Sequence, residues 1–275
     1  IISAVAASHF RSLGHQLDTF SVTYTDNQKY FKTSKFQPTT DEPYIQMMAE
    51  FLGSNHHTFV VDNEQLALAL KAAVDARDLP GMADVDSSLL LFCEEIKKHV
   101  TVALSGECAD EIFGGYPWYR DEKIRSAYGF PWAQTTAMRQ KFLTPHLRKL
   151  IDGEAEVSAR YEQALAETDK SEGLSPKESR LREMVHLNMY WFMQTLLTRK
   201  DRMSMYHGLE VRVPFCDHRI AEYMYSVPWE MKEYKGMEKG LLRHAVEGLL
   251  PDEIRLRKKS PYPKTHNPQY TSIVS

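Results

Sequence analysis

Residues 104–116 read LSGECADEIFGGY, and three carboxylates, Glu107, Asp110 and Glu111, crowd into five of those positions. Ser105 and Gly106 form a tight turn just ahead, small enough for backbone N–H groups to approach a ligand, and Gly114 and Gly115 follow. Carboxylates clustered beside a glycine-rich turn suit a divalent cation and the phosphates of a nucleotide. A helix starting near Cys108 would set Glu107 and Asp110 about one turn apart, on one face. The plain alternative is a capped helix whose first turn is acidic, favoured by the helix dipole. Capping accounts for one or two of the carboxylates but not for three, and it leaves the two glycines unexplained.

The elements that must position this motif are legible around it. Residues 100–104 (VTVAL) form a continuous apolar run of the type buried in parallel sheets, so the motif stands at a strand's carboxyl end. Ligands of open α/β sheets bind beyond such ends. Upstream, residues 1–13 carry apolar side chains at helical spacing and stop at Gly14. Residues 17–24 (LDTFSVTY) are β-branched and aromatic and read as a strand, with a polar loop over 25–40. A helix over 41–52, a strand over 57–61, a helix over 63–77 capped by Asn63 and a helix over 87–99 complete the series. This alternation predicts an α/β fold with a doubly wound parallel sheet over residues 1–116. Residues 117–275 read as helices without convincing strands, packed on the first part as one body, because no Pro/Gly/Ser-rich linker divides them.

Composition narrows the class. The 275 residues carry 34 basic and 37 acidic side chains, a net charge of −3, with 43% hydrophobic and 26% charged residues, as in ordinary globular proteins. The longest apolar run, Leu89 to Cys93, is far short of the roughly 20 residues of a membrane helix. An isoelectric point near 6.4 argues against nucleic-acid binding through a broad basic surface. Three scattered cysteines, Cys93, Cys108 and Cys216, form no C-x-x-C pair and fit reduced thiols in a cytoplasmic protein. His56 and His57 are adjacent in a strand and point apart, which favours structural roles. Arg212, flanked by apolar residues, reads as a buried structural arginine partnered by Glu210 or Asp217, and the run Tyr190-Trp191-Phe192 reads as core.

The motif LSGECADEIFGGY resembles the LSGEGADEhFGGY signature of the asparagine synthetase family, in its ATP-dependent synthetase domain. Other stretches agree in order: IISAVAA, DTFSVTY, GLEVRVPFCDHRI over 208–220, GMEKGLLRHAVEGLLP over 236–251 and RKKSPYPKTHNP over 257–268. The resemblance implies a PP-loop ATPase type of fold (adenine nucleotide alpha hydrolase-like) and a ligase using ATP and Mg²⁺. Its substrates would be aspartate, activated as an aspartyl-adenylate, and ammonia delivered from a glutaminase domain. No nucleic-acid or membrane partner is implied, and a homo-oligomer is left open. On matching positions, Val22 would touch the adenine or ribose, and Ser105 and Gly106 would contact ATP. Asp110 would hold Mg²⁺ and Glu107 would assist formation of the adenylate. Lys239 and Lys259 would lie near the departing pyrophosphate, where cations lower the barrier. Read alone, Lys259 is one member of a solvated basic run; only the resemblance singles it out.

The sequence also departs from that family. Its pyrophosphate loop, SGGxDS, would stand immediately before Ile1, so the expectation is a piece of a longer synthetase. Such a piece would lack that loop, the first strand and the N-terminal glutaminase domain, and would be inactive alone. Cys108 stands where the family usually has glycine; if the position needs a positive φ, cysteine there costs about 1 kcal/mol. Cys216 replaces a usual leucine as a conservative core exchange. A β-lactam synthetase-like enzyme, which adenylates a different carboxylate, shares the same apparatus, and a folded non-catalytic fragment is an alternative of another class. A tRNA-modifying enzyme with a related nucleotide fold would want a basic face or metal-binding cysteines, and the sequence offers neither.

Overall fold

A computed structural model of the chain describes residues 1–34, 37–169 and 172–275. Helix α1 (Ile2–Ser12) leads into strand β1 (Asp18–Tyr24), a short helix α2 (Asn27–Tyr30) and helix α3 (Glu42–Leu52). Helix α2 lies in the stretch that reads as loop, of which residues 35 and 36 are outside the described part. Gly53, at φ 59°, ends α3 in the left-handed region that glycine enters without strain. Strand β2 (Asn55–Val61) then pairs parallel with β1 from Asp18↔Asn55 to Tyr24↔Val61. Helix α4 (Asn63–Arg77), helix α5 (Ala83–Lys97) and strand β3 (Val102–Leu104) follow, and then α6 (Ala109–Phe113).

The rest of the chain runs through α7 (Glu122–Ser126), α8 (Thr136–Gln140), α9 (Pro145–Leu150), α10 (Gly153–Ala166) and α11 (Pro176–Leu187). A π-helical turn at Asn188–Phe192 joins α11 to α12 (Met193–Met205). Strand β4 (Glu210–Arg212) precedes α13 (His218–Ser226), α14 (Trp229–Lys232), α15 (Gly240–Ala245), α16 (Asp252–Arg255) and α17 (Pro268–Val274).

Strand β4 corrects the reading of residues 117–275 as strand-free. It pairs parallel with β3, from Val102↔Glu210 to Leu104↔Arg212, so the described strands form two two-stranded parallel sheets. Its three residues, Glu-Val-Arg, are too short and too polar to signal a strand without their partner. Strand β3 also differs from the expected buried strand, since Val102 is 39% and Leu104 51% exposed. Helix α4 is capped one residue earlier than expected. The Asp62 side chain accepts from the N–H groups of Glu64 and Gln65, while Asn63 is buried and accepts from the Thr265 hydroxyl.

The packing groups the chain differently from one cut at Tyr116. One compact unit comprises Ile1–Glu107, Thr195–Asp217 and Leu242–Ser275; the other comprises Cys108–Gln194 and His218–Leu241. In the first unit, Ala73, Leu89, Leu90, Cys93 and Ile96 from α4 and α5 bury against Met203 of α12 and Leu209 ahead of β4. Val22 and Tyr24 of β1 pack with Val61 and Leu66. In the second unit, Tyr119, Leu181, Met184 and Val185 form one cluster, and Phe130, Tyr161, Ala164 and Leu187 another. Trp191 lines the second cluster, as the core reading of its run expects, whereas Tyr190 is half exposed.

Candidate active site

The chain turns out of β3 at Ser105, whose backbone N–H donates to the Arg212 carbonyl at 2.9 Å. That N–H is therefore used by the sheet, and what Ser105 offers is its hydroxyl, which donates to Glu107 Oε2. Gly106 between them is exposed, with open space where a Cβ would stand. Glu107 Oε1 meets the ammonium of Lys200 at 3.1 Å, with both side chains more than four-fifths buried. Burial pushes the Glu107 carboxyl up. The charge of Lys200, the hydrogen bonds from Ser105 and Lys200 and the charge of Arg199 outweigh it, so Glu107 titrates below the ordinary glutamate range. These groups all belong to the first unit.

Cys108 is the N-cap residue of α6 and adopts φ 75°, so the position does demand the left-handed backbone. It also sets Glu107 outside the helix, ahead of its N-cap. Asp110, in the first turn of α6, takes the ammonium of Lys239 at 2.7 Å, both within the second unit. Lys239 reaches it from a backbone at φ 54°. The third carboxylate, Glu111, is 2% exposed and accepts from the Tyr116 hydroxyl at 2.5 Å, a structural role. Burial and the charge of Glu111 both push the Tyr116 phenol up.

The two glycines now have reasons. A Cβ on Gly115 would stand 1.9 Å from Asp110 Oδ1, and one on Gly114, at φ 72°, would stand 2.7 Å from the Trp229 ring. The Gly114 carbonyl accepts from Arg120, whose Nε is 2.6 Å from Glu233 Oε1.

Val22 is 8% exposed and packs its side chain into the β1 core. Lys259 lies in a segment pinned to the same unit. The Arg257 guanidinium stacks 3.9 Å over the Tyr44 ring and pairs with Asp41, and the Tyr24 hydroxyl donates to the Pro263 carbonyl at 2.9 Å. Arg255 also pairs with Asp252 at 2.7 Å, so the basic run is anchored rather than simply solvated. The Lys259 ammonium donates to the Ser260 carbonyl at 2.9 Å. The structure thus brings Ser105 to Glu107 and Lys239 to Asp110, and fixes Val22 and Lys259 elsewhere in the first unit.

Sequence reasoning missed Lys200. Its signal is its place beside Arg199 and Met203, which are both buried and one helical turn apart, so that Lys200 borders a buried helix face. Arg212 is partnered by Glu210 at 2.7 Å, as one of two options expected, but its side chain is 63% exposed instead of buried, because β4 is an edge strand of a two-stranded sheet. The histidines behave as expected: His56 binds Thr19 and Ser21, and His57 binds Asp18.

The family model described as Asparagine synthase matches residues 1–274. The chain is 53% identical, over all 275 residues, to asparagine synthetase [glutamine-hydrolyzing] 3 of Bacillus subtilis, of which it covers 44%. It is 32% identical over 78% of its length to asparagine synthetase [glutamine-hydrolyzing] 1 of the same organism, covering 39% of that protein. At 25% identity over 78% of its length it also matches a Gibberella zeae protein named amidase chry2. The chain spans less than half the length of these relatives. With the family model spanning the chain and parallel strands flanked by helices, this chain belongs to the asparagine synthase family and has its α/β fold of the PP-loop ATPase type.

Proposed function

We propose that the protein carrying this chain is a ligase that amidates aspartate to asparagine at the expense of ATP, through an aspartyl-adenylate. In that reaction a β-carboxylate oxygen of aspartate attacks the α-phosphorus of ATP, the bond to the bridging oxygen breaks, and pyrophosphate leaves with the electron pair. Ammonia then attacks the acyl carbon, loses a proton and expels AMP. The observation that carries this reading is the motif after β3, where Glu107 and Asp110 are each paired with a lysine. Family membership supplies the reaction class, and relatives named glutamine-hydrolysing supply the reading that ammonia comes from a glutaminase domain.

Ser105 and Gly106 would contact the nucleotide, with Val22 beside its adenine or ribose. Glu107 would assist adenylate formation, and Lys239 and Lys259 would act as point charges on pyrophosphate. Among the described residues no group of three His, Cys, Asp or Glu side chains is placed to cage a metal. Mg²⁺ commonly binds through one or two carboxylates plus substrate phosphates, and the single Asp110 carboxylate fits that mode. When bound there it would neutralise charge on the leaving pyrophosphate. Asp110 would exchange the Lys239 ammonium for it, freeing that lysine for the phosphates.

The sheets β1–β2 and β3–β4 read as parts of one doubly wound sheet, and the two units as one synthetase domain. No helix among the described residues is long and apolar enough to cross a membrane. The scattered cysteines, which form no C-x-x-C pair, carry the reading of a cytoplasmic protein. The same reading takes the 275 residues alone to be inactive.

The test is isotopic. With ¹⁸O in the β-carboxylate of aspartate, the longest native polypeptide containing this chain is expected to transfer one label into AMP per asparagine formed. Label appearing in inorganic phosphate instead would contradict the adenylate.

A further inference from the structure

Glu107 carries the chemistry proposed for the motif, and from within the motif the Ser105 hydroxyl donates to it. The cation that meets it comes from α12, 93 positions further along the chain. That helix is set rigidly: Met203 and Ser204 are fully buried, Met203 lies in the core with Cys93 and Leu209, and Arg199 is 9% exposed with Nη1 3.4 Å from Met82 Sδ. Lys200, between these anchors, therefore delivers its ammonium from a fixed point, and its side chain is only 15% exposed.

Resting on the adenylation reading above, we propose that Lys200 is the positioning residue for Glu107. Its ammonium on Oε1 and the Ser105 hydroxyl on Oε2 hold the carboxylate in one orientation and in its acceptor-only form. A carboxylate with both oxygens so engaged presents a fixed negative charge to the reacting groups. It does not serve as a proton donor, because the proton it would need to carry competes with Lys200 for Oε1. The charged and titratable groups facing it are Lys200 and Arg199 from α12 and the Cys93 thiol from α5. Both cations favour the ionised carboxylate. Burial pushes the thiol up to about 11, so Cys93 stays neutral through the working range.

A lysine that served only the fold would lower the melting temperature when removed and leave the chemistry of Glu107 untouched. The experiment reads that chemistry directly. In the longest native polypeptide containing the chain, the Glu107 carboxyl is titrated by ¹³C NMR, with its resonance assigned by Glu107→Gln. The wild-type midpoint is expected below the ordinary glutamate value of 4.5 and is expected to rise by about one pH unit in Lys200→Met. Aspartate-dependent ATP–pyrophosphate exchange in Lys200→Met is expected to fall at least ten-fold, with its acid limb moved up by the same unit. Lys200→Arg is expected to restore the rate to within about three-fold and the limb to its wild-type position.

A wild-type midpoint at or above 4.5, or Lys200→Met with wild-type exchange and an unmoved midpoint, would overturn the assignment. The wild-type titration needs no variant to fold. If wild type shows no exchange at all, the adenylation reading fails, and the NMR titration still decides whether Lys200 sets the state of Glu107.

Discussion

The ammonium of Lys239 stands 2.7 Å from Oδ1 of Asp110, and each side chain is about one-fifth exposed. A partly buried pair of this kind stabilises less than its geometry suggests, because both charges are partly desolvated, but removing one partner strands the other. Asp110→Asn and Lys239→Met are each expected to lower stability by about 1–2 kcal/mol. The double variant should lose less than the sum, with a coupling of at least about 0.5 kcal/mol in a denaturant-unfolding cycle. Additive losses would mean that the two charges do not interact.

Cys108 holds a left-handed backbone, φ 75°, at the cap of α6. Glycine ordinarily destabilises relative to alanine, but here the strain of a Cβ reverses the order. Cys108→Gly is expected to be more stable than Cys108→Ala by about 1 kcal/mol, read from urea midpoints. Alanine winning would mean that the conformation is not strained.

Lys232 is 3% exposed, and burial, with the nearby charge of Arg182, lowers its ammonium pKa to about 8. Below pH 8 the lysine is protonated in both folded and unfolded chains, and folding carries the cost of burying the charge. From about 8 to 10.5 the unfolded chain holds more protons, so this residue's contribution to stability rises with pH. At roughly 1.4 kcal/mol per pKa unit, Lys232→Met should stabilise by up to about 3 kcal/mol at pH 7, with the advantage shrinking toward pH 10. Melting curves of both proteins across that range check it; a gap that does not change with pH contradicts it.

Gly115 has no room for a side chain, since its Cβ would stand 1.9 Å from Asp110 Oδ1 and 3.0 Å from the Asp110 Cα. Gly115→Ala is expected to push the carboxylate away from Lys239, lowering the melting temperature by several degrees and aspartate-dependent exchange at least ten-fold. Gly106→Ala meets nothing within 4 Å and should melt within about 2 °C of wild type.

Local patterning revealed the elements that organise themselves locally. The β-branched run of β1 and the Gly53 stop of α3 are written in neighbouring residues, and both stand within two residues of where pattern places them. What stayed hidden depends on partners far along the chain. Strand β4 is defined by its register with β3, more than 100 positions away, and Lys200 is placed by a helix whose anchor, Met203, buries against α5. Glu107 stands ahead of the α6 N-cap, Cys108, and meets Lys200 within the first unit, while Asp110 meets Lys239 within the second. The resemblance singled out the motif; the lysine that meets Glu107 emerged only from packing.

The central claim is that this motif adenylates aspartate, and the most direct measurement is ATP–pyrophosphate exchange. It is made with the longest native polypeptide containing the chain, with and without aspartate, beside Glu107→Gln. Exchange that requires aspartate and falls at least a hundred-fold in Glu107→Gln is the expected result. Exchange that another carboxylic acid supports and aspartate does not would contradict the substrate, and exchange unchanged in Glu107→Gln would contradict the site.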